Sequence, residues 1–250
     1  MSGRPEEDVA VQAVRSRASD YDTVAEGYTA ENETSLMNAY LERPAALALA
    51  GEVAGRRILD AGCGSGPLFA ELRERGAVVS GFDGSPGMLE QARRRLGADA
   101  DLRVADLAGP LPYADDAFDD VMASFVLHYL RDWGPTLTEL RRVLRPGGRI
   151  IASVEHPLVL NLMKRHTGPR PDYFATENRL EDWTMGGGTA QLSFWDRPLE
   201  AMTDAFLAAG LRITRLHEPR PVPAAHELFP DDFHIADTCP SVLFFVLHSE

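Results

Sequence analysis

Residues 57–67 constrain the fold of this 250-residue chain more than any other stretch. An aliphatic run there ends in aspartate, and glycines follow at alternate positions, Gly62, Gly64 and Gly66. This pattern predicts a buried strand, a tight turn and the start of a helix, because glycine lets the backbone bend and approach a ligand without a Cβ in the way. The third glycine of the dinucleotide pattern G-x-G-x-x-G would fall at Pro67. The turn therefore favours a different nucleotide-like cofactor.

Alternating strand and helix patterns continue after this turn. Further strands are predicted at residues 77–83, 102–105, 118–125 and 149–155, with amphipathic segments between them. Alternating units of this kind give parallel strands joined by right-handed crossovers. The sequence therefore predicts an α/β fold with a mostly parallel sheet.

We expect one domain over residues 1–250 that begins with a frayed arm at residues 1–19. Its predicted parts are N-terminal cap helices at 1–50, a cofactor-binding core at 51–155, an insertion at 156–197, and a C-terminal helix with a strand pair at 198–250. The last strand pair, at 211–217 and 241–248, is expected to be antiparallel, with a Pro-rich acidic loop between the two strands at 218–240.

Composition excludes several classes of partner. The net charge of -13 opposes binding to a phosphate backbone, so no nucleic acid is expected. No apolar run is long enough to cross a membrane, and two cysteines are too few for a disulfide framework. These features predict a cytoplasmic protein that needs no membrane, and they leave the oligomeric state open. Histidine and acidic residues at 217–239 do not have the spacing of known metal sites, so no metal is expected.

Acidic residues end three of the predicted strands: Asp60, Asp83 and Asp106. Open α/β sheets bind ligands at the rim formed by the carboxyl ends of their strands. Asp83 follows Asp60 by 23 residues, a separation that suits a carboxylate accepting hydrogen bonds from ribose hydroxyls. Asp83 is not needed to cap the next helix, because Ser85 before Pro86 supplies that cap.

Residues 60–66, with the sequence DAGCGSG, resemble the cofactor motif of class I S-adenosylmethionine-dependent methyltransferases. The resemblance extends over roughly residues 20 to 155 and includes the fourth-strand segment at 118–125 and the Pro-Gly-Gly turn at 146–148. It implies a Rossmann-like, mostly parallel seven-stranded sheet with its last strand antiparallel. It also implies S-adenosyl-L-methionine as cofactor, with S-adenosyl-L-homocysteine as product.

The resemblance also implies a set of cofactor-binding residues. Asp106 would bind the adenine amino group, and an N-terminal segment containing tyrosines would fold over the methionine end. The whole set is Tyr21, Tyr28, Asp60, Gly62, Gly64, Gly66, Asp83, Gly84, Ser85, Met88, Asp106, Leu107 and Ser124.

The implied reaction is in-line transfer of a methyl group to an oxygen, nitrogen or carbon of a small metabolite. A base is needed only when the acceptor atom is protonated at the working pH. His156, which ends strand five before Pro157, is the first candidate, and His128 after strand four is the second. Glu155 and Tyr21 are alternative bases.

The insertion at 156–197 predicts a lid, formed together with the N-terminal helices, because it follows the ligand-facing end of a strand and contains five aromatic residues. Such a lid suits an aromatic or apolar metabolite. Two alternatives stay open: a non-catalytic S-adenosylmethionine-binding sensor or scaffold, and a non-methylating enzyme on the same fold. A nicotinamide-dependent oxidoreductase is disfavoured by Pro67.

Overall fold

A computed structural model describes residues 21–168 and 171–249, and the predicted arm at 1–19 lies outside the described residues. The strands are β1 (Arg57–Ala61), β2 (Val78–Asp83), β3 (Asp101–Val104), β4 (Phe118–Ala123), β5 (Leu144–Glu155), β6 (Glu177–Met185), β7 (Gly188–Asp196), β8 (Leu211–His217) and β9 (Val242–Ser249). The α-helices are α1 (residues 21–34), α2 (Arg43–Ala50), α3 (Pro67–Glu74), α4 (Pro86–Leu96), α5 (Gly134–Val143), α6 (Pro157–Thr167), α7 (Leu199–Ala208), α8 (Ala225–Leu228) and α9 (Pro230–Thr238). A π-helical turn, Asn38–Glu42, precedes α2, and a 3-10 turn, Leu127–Tyr129, follows β4.

Seven strands form one sheet in the order β3-β2-β1-β4-β5-β9-β8. All neighbouring pairs from β3 to β5 are parallel, and β9 runs antiparallel to both β5 and β8. This arrangement confirms the predicted mostly parallel sheet with an antiparallel last strand. The chain moves outward in one direction from β1 and in the other from β4, so a crevice opens between these two strands at their carboxyl ends. Such a reversal of strand order is where open α/β sheets bind ligands.

Both faces of the sheet are covered, so its central strands are buried on both sides. Ile58 of β1 packs with α2, α3 and α4 on one face, and the next residue, Leu59, packs with α5 and α7 on the other. Every residue of β4 is buried. Fully burying one leucine or isoleucine side chain contributes about 1.5–3 kcal/mol, so the two cores hold the crevice rigidly.

The insertion contains α6 and a hairpin of β6 and β7, which form a separate two-stranded sheet. The hairpin turns at Gly186 and Gly187, whose φ angles of 57° and 83° are those of a two-residue hairpin turn. These glycines interrupt the strand pattern in the sequence, and in the structure their conformational freedom is what closes the hairpin. Leu192 and Phe194 of β7 pack against Val24 of α1.

An ion cluster centred on Arg179 of β6 joins the hairpin to the main sheet. Its guanidinium contacts Glu155 at the end of β5 at 2.5 Å and Asp196 at 3.3 Å. Arg179 also lies 4.8 Å from the centre of the Phe194 ring. The end of β5 is therefore tied to both strands of the hairpin.

The structure corrects one part of the C-terminal prediction. Residues 218–240 were expected to form a loop, but they contain the short helices α8 and α9. Proline at the start of α9 supplies a favourable first helical position, which our interpretation of the Pro-rich segment missed. Within the described part of the chain, no helix is both long and apolar enough to cross a membrane.

Candidate active site

A cavity of about 900 Å³ opens at the carboxyl ends of β1, β2, β3 and β4. The structure places most of the predicted cofactor-binding residues on its wall. Those that line the cavity are Tyr21, Tyr28, Asp60, Gly62, Gly64, Asp83, Gly84, Ser85, Met88, Asp106, Leu107 and Ser124. A volume of this size suits a nucleoside-sized molecule together with a small metabolite.

The glycine turn forms the floor of the cavity. Gly62 and Gly64 have φ angles of 70° and 55°, a region that side chains with a Cβ rarely adopt. A Cβ on Gly62 would lie 2.4 Å from Val126 Cγ2, and one on Gly64 would lie 3.4 Å from Met88 Cε. The predicted Gly66 does not line the cavity, and a Cβ there would lie 2.8 Å from Leu96 Cδ1. The first two glycines therefore keep the floor bare, whereas the third lets α3 and α4 pack closely.

Asp83 is held against the floor by backbone groups. The Gly64 N–H donates to Asp83 Oδ2 at 2.9 Å, and the Ser85 N–H donates to Asp83 Oδ1 at 2.8 Å. Burial raises the pKa of this carboxyl, and the backbone hydrogen bonds oppose that increase. As predicted, Ser85 rather than Asp83 caps α4, because Ser85 Oγ accepts from the Met88 N–H at 3.1 Å.

Asp60 is the least satisfied acid in the cavity. Its side chain is almost fully buried, and Oδ2 has no hydrogen-bond partner among the described residues. Burial raises its pKa from 3.8 to about 7, and the nearby carboxylates of Glu42 and Asp83 add to the increase. A positively charged ligand group at this point would offset both effects.

Asp106 lies on the opposite part of the wall, beyond β3. Its Oδ1 accepts from the Ala108 N–H at 2.9 Å, which fixes the carboxylate in a tight turn beside Leu107. Met88 and Leu107 are both buried apolar residues of the cavity lining. This part of the cavity therefore has apolar walls and one carboxylate, a combination that suits a heterocyclic base with an amino group.

Aromatic residues close the other side of the cavity. Tyr21 and Tyr28 of α1 meet edge to face at 5.1 Å, and the Tyr21 and Tyr129 hydroxyls are hydrogen-bonded. Trp183 of the hairpin stacks on Tyr28 with ring centres 6.2 Å apart. Burial raises the pKa of all three tyrosines, so the hydroxyls stay protonated at neutral pH. Helix α1 and the insertion thus build one aromatic wall.

The structure does not bring either predicted histidine to the cavity. His156 Nε2 lies 3.0 Å from Glu218 Oε1, away from the cavity lining. His128 lies behind the wall, stacked on Phe125 with ring centres 6.0 Å apart, and neither ring nitrogen has a hydrogen-bond partner among the described residues. Burial lowers the pKa of His128 to about 3, so its ring is neutral.

Among the acids on the cavity wall that escaped the sequence analysis are Asp22 and Glu42. Asp22 Oδ1 accepts from the Gly87 N–H at 2.7 Å and from the Ser85 hydroxyl, so α1 is joined to the first turn of α4. Glu42 is only 3% exposed and accepts from the hydroxyls of Ser124 and Ser153 at 2.7 Å each. A lone glutamate beside apolar helical positions was the available sequence signal, but it does not reveal which partners cross the sheet.

Neither a metal site nor Glu155 adds an ionisable group to the cavity in the described part of the chain. In the described ranges 21–168 and 171–249, no three histidine, cysteine or acidic side chains are grouped as a metal site. Glu155, an alternative base in the sequence analysis, is paired with Arg179 instead of lining the cavity. The other alternative, Tyr21, is on the wall.

Comparisons with known proteins agree with this geometry. Residues 59–152 match the family model described as a methyltransferase domain. Over 133 residues the chain is 42% identical to a demethylmenaquinone methyltransferase of Clavibacter sepedonicus, which covers 52% of this chain and 54% of that protein. The chain therefore spans about half the length of the curated relatives it matches.

Two solved structures extend the likeness beyond the core. An S-adenosylmethionine-dependent methyltransferase from Mesorhizobium loti is 26% identical with a TM-score of 0.63, covering 82% of this chain and 96% of that one. A structure from Listeria monocytogenes, titled as a putative methyltransferase of the same kind, is 23% identical with a TM-score of 0.66, covering 84% and 95% of the two chains. The second of these supports the fold alone.

Proposed function

We propose that the chain is a class I S-adenosylmethionine-dependent methyltransferase, as its similarity to such proteins suggests, and that it methylates a small aromatic or apolar metabolite at oxygen, nitrogen or carbon. The observation that carries the proposal is Asp83, a half-buried carboxylate whose Oδ2 lies 2.9 Å from the backbone nitrogen of the bare Gly64 turn. A carboxylate fixed beside a floor without side chains is a site for a ribose that lies flat against the backbone.

The residues present fit S-adenosylmethionine along the whole cavity. Asp83 would accept from the ribose hydroxyls, and Asp106 with Leu107 and Met88 would enclose the adenine. The buried Oδ2 of Asp60, which has no partner within the described residues, would face the positively charged methionine end. When bound, S-adenosylmethionine supplies a methyl group on a sulfonium, which is a strong electrophile.

The chain's own residues then have to orient the acceptor and exclude water. Tyr21, Tyr28 and Tyr129 stay neutral and present ring faces and edges, which hold a cation without a counter-charge and keep the site dry. Orientation in a dry site is the main requirement. Holding the nucleophile in line with the methyl group can by itself lower the activation free energy by up to about 7–11 kcal/mol.

We further propose that α1 and the β6–β7 hairpin act together as the lid of this cavity. Gly27 of α1 and Gly186 of the hairpin approach so closely that a Cβ on Gly27 would lie 2.5 Å from the Gly186 nitrogen. The two segments therefore move as a pair, and each contributes residues to the cavity wall.

Three features support an aromatic or apolar acceptor. The wall opposite the glycine floor is aromatic, Leu192 of the hairpin reaches the cavity, and the net charge of -13 opposes nucleic acid. The name of the Clavibacter relative refers to a demethylmenaquinone, which is consistent with such an acceptor. Histidine assistance to the transfer would need His156 or His128 to act from outside the cavity lining.

Two measurements test the proposal. Calorimetric titration of the full chain with S-adenosylmethionine and S-adenosylhomocysteine should give saturable 1:1 binding, with NADH as the negative control. Release of S-adenosylhomocysteine should then be followed across a panel of phenols, amines and apolar metabolites. Absence of cofactor binding by folded protein rejects the proposal, whereas tight binding without turnover favours the sensor or scaffold alternative.

A further inference from the structure

We propose that Glu42 binds the proton-bearing group of the methyl acceptor and accepts its proton, and that this group is a hydroxyl on an aromatic ring. The inference rests on the proposed function and deepens it, because it names a residue and a class of acceptor. Glu42 belongs to no cofactor motif, and only the folded structure identifies it as part of the cavity wall.

The geometry leaves one oxygen of Glu42 available to a ligand. Its Oε1 accepts from Ser124 Oγ and Ser153 Oγ, both at 2.7 Å, which fixes the carboxylate in a single orientation. Within the described part of the chain, Oε2 receives no hydrogen bond, and Glu42 lines the cavity beside Ser124. Protein donors reach only one oxygen of this buried carboxylate. A ligand that donates a hydrogen bond to the other oxygen would be stabilising, because a buried acceptor without a hydrogen bond costs free energy.

The surrounding backbone has two irregular features. Glu42 ends the π-helical turn Asn38–Glu42, and such turns occur frequently at functional sites. Phe125, on the same cavity wall, has a φ of 47°, a strained value for a residue with a Cβ. The Phe125 N–H donates to Ser153 Oγ at 3.0 Å, so one serine supports both the strained residue and Glu42.

Burial makes Glu42 a better base than an exposed glutamate. Burial raises its pKa, whereas the two serine hydroxyls and Arg43 lower it to a smaller extent. The guanidinium of Arg43 is paired with Glu71 at 3.2 Å. Glu42 therefore keeps a carboxylate that accepts a proton without a strong counter-ion bound to it.

The transfer balances as follows. The hydroxyl proton moves to Glu42 Oε2 while an oxygen lone pair forms the new bond to the methyl carbon. The carbon–sulfur bond breaks with its electron pair remaining on sulfur. The products are the methyl ether, S-adenosylhomocysteine with an uncharged thioether sulfur, and protonated Glu42. Glu42 returns its proton to solvent when the products leave the cavity.

Charge favours a hydroxyl over an aliphatic amine as the acceptor group. The cofactor already brings a sulfonium and an ammonium into the cavity, so a second ammonium beside them would be repelled. A phenol enters neutral, and the rings of Phe125 and Tyr28 on the cavity wall can pack against its ring.

The test measures binding, so it does not depend on turnover. Titrate the S-adenosylhomocysteine-saturated full chain with 2-naphthol, 2-methoxynaphthalene and 2-naphthylamine, and repeat with Glu42→Gln and with the control Glu71→Gln. The glutamine oxygen still accepts from both serines, so a purely structural role survives this change. We expect at least tenfold preference for 2-naphthol over its methyl ether in the wild type and in Glu71→Gln, and a ratio near one in Glu42→Gln.

Several results overturn the inference. They are equal affinity for naphthol and ether in the wild type, failure to bind either probe, preference for the amine, or an unchanged ratio in Glu42→Gln. If Glu42→Gln does not fold, Glu42→Asp replaces it and must lower the ratio of naphthol affinity to ether affinity. The comparison of naphthol with its ether in the wild type tests the inference without any variant. Failure of the wild type to bind S-adenosylhomocysteine rejects the proposed function instead, and the titrations without cofactor then still report on Glu42.

Discussion

The Gly64 N–H donates to Asp83 Oδ2 at 2.9 Å, so the turn after β1 and the end of β2 form one rigid unit at the cavity floor. The two strands are paired in parallel register directly before this contact, and the bond is therefore preformed in the absence of ligand. A preformed carboxylate does not have to be ordered when the ribose binds, which lowers the entropic cost of binding.

Replacing Asp83 by alanine should weaken S-adenosylmethionine binding by about 1–3 kcal/mol, because charge-assisted hydrogen bonds to the ribose are lost. Calorimetric titration of the variant measures this change directly. Asp204→Ala, on the exposed side of α7, is the matched control and should bind as the wild type does. Unchanged affinity of Asp83→Ala would remove the ribose assignment.

Asp60 should make the stability of the ligand-free protein depend on pH. Its pKa is raised from 3.8 to about 7, so the folded state binds more protons than the unfolded state in that interval. Stability from this residue is therefore fully present below about pH 4 and is lost as the pH rises toward 7. Asp60→Asn, which cannot ionise, should be more stable than the wild type at pH 8 by about 1–3 kcal/mol.

Urea denaturation of both proteins at pH 4 and pH 8 checks the expectation for Asp60. The difference in unfolding free energy between variant and wild type should shrink toward zero at the lower pH. Asp204→Asn provides the control, since that side chain is exposed on α7. A variant less stable than the wild type at pH 8 would contradict the assigned origin of the pKa shift.

Substituting Gly27 by alanine should separate the hairpin from α1, because the added Cβ would lie 2.5 Å from backbone atoms of Met185 and Gly186. Backbone cannot swing aside as a flexible side chain does. We expect faster amide hydrogen exchange across β6 and β7, with little change in β1 or β4. Glu26→Ala, an exposed neighbour in the same helix, should leave exchange in the hairpin unaltered. Equal exchange in the two variants would argue against a joint lid.

His156→Ala should change the rate of S-adenosylhomocysteine release by no more than about twofold, because the ring lies outside the cavity lining with Nε2 3.0 Å from Glu218. Steady-state assays with any acceptor found in the panel measure this, and Glu218→Gln is the companion variant. A loss of a hundredfold or more, with cofactor affinity retained, would restore His156 as the base that the sequence analysis placed first.

The cofactor side of the cavity could be predicted from the sequence because its determinants are local. The glycine turn after an apolar strand, and an acid at the end of the next strand 23 residues after Asp60, need only two adjacent strands to meet. Parallel pairing of β1 and β2 follows from the alternating pattern, so the sequence alone predicts that Asp83 lies beside the glycine turn.

The acceptor side depended on contacts between distant segments. Glu42 meets Ser153 across 111 residues of sequence, and the Gly186 turn meets Gly27 only because the hairpin folds back over α1. No local pattern specifies such pairs. Likewise, a histidine at a strand end looks equally suited to either side of the rim, and only the packing of His128 behind Phe125 decides where its ring lies.

By itself, therefore, the sequence determined the sheet, the glycine floor and the acids at its rim, since strand periodicity and turn chemistry act over a few residues. The tertiary structure alone decided which buried groups share the cavity and what protonation they carry. Burial and charge proximity are properties of the assembled chain, and they set the pKa values of Asp60 and Glu42.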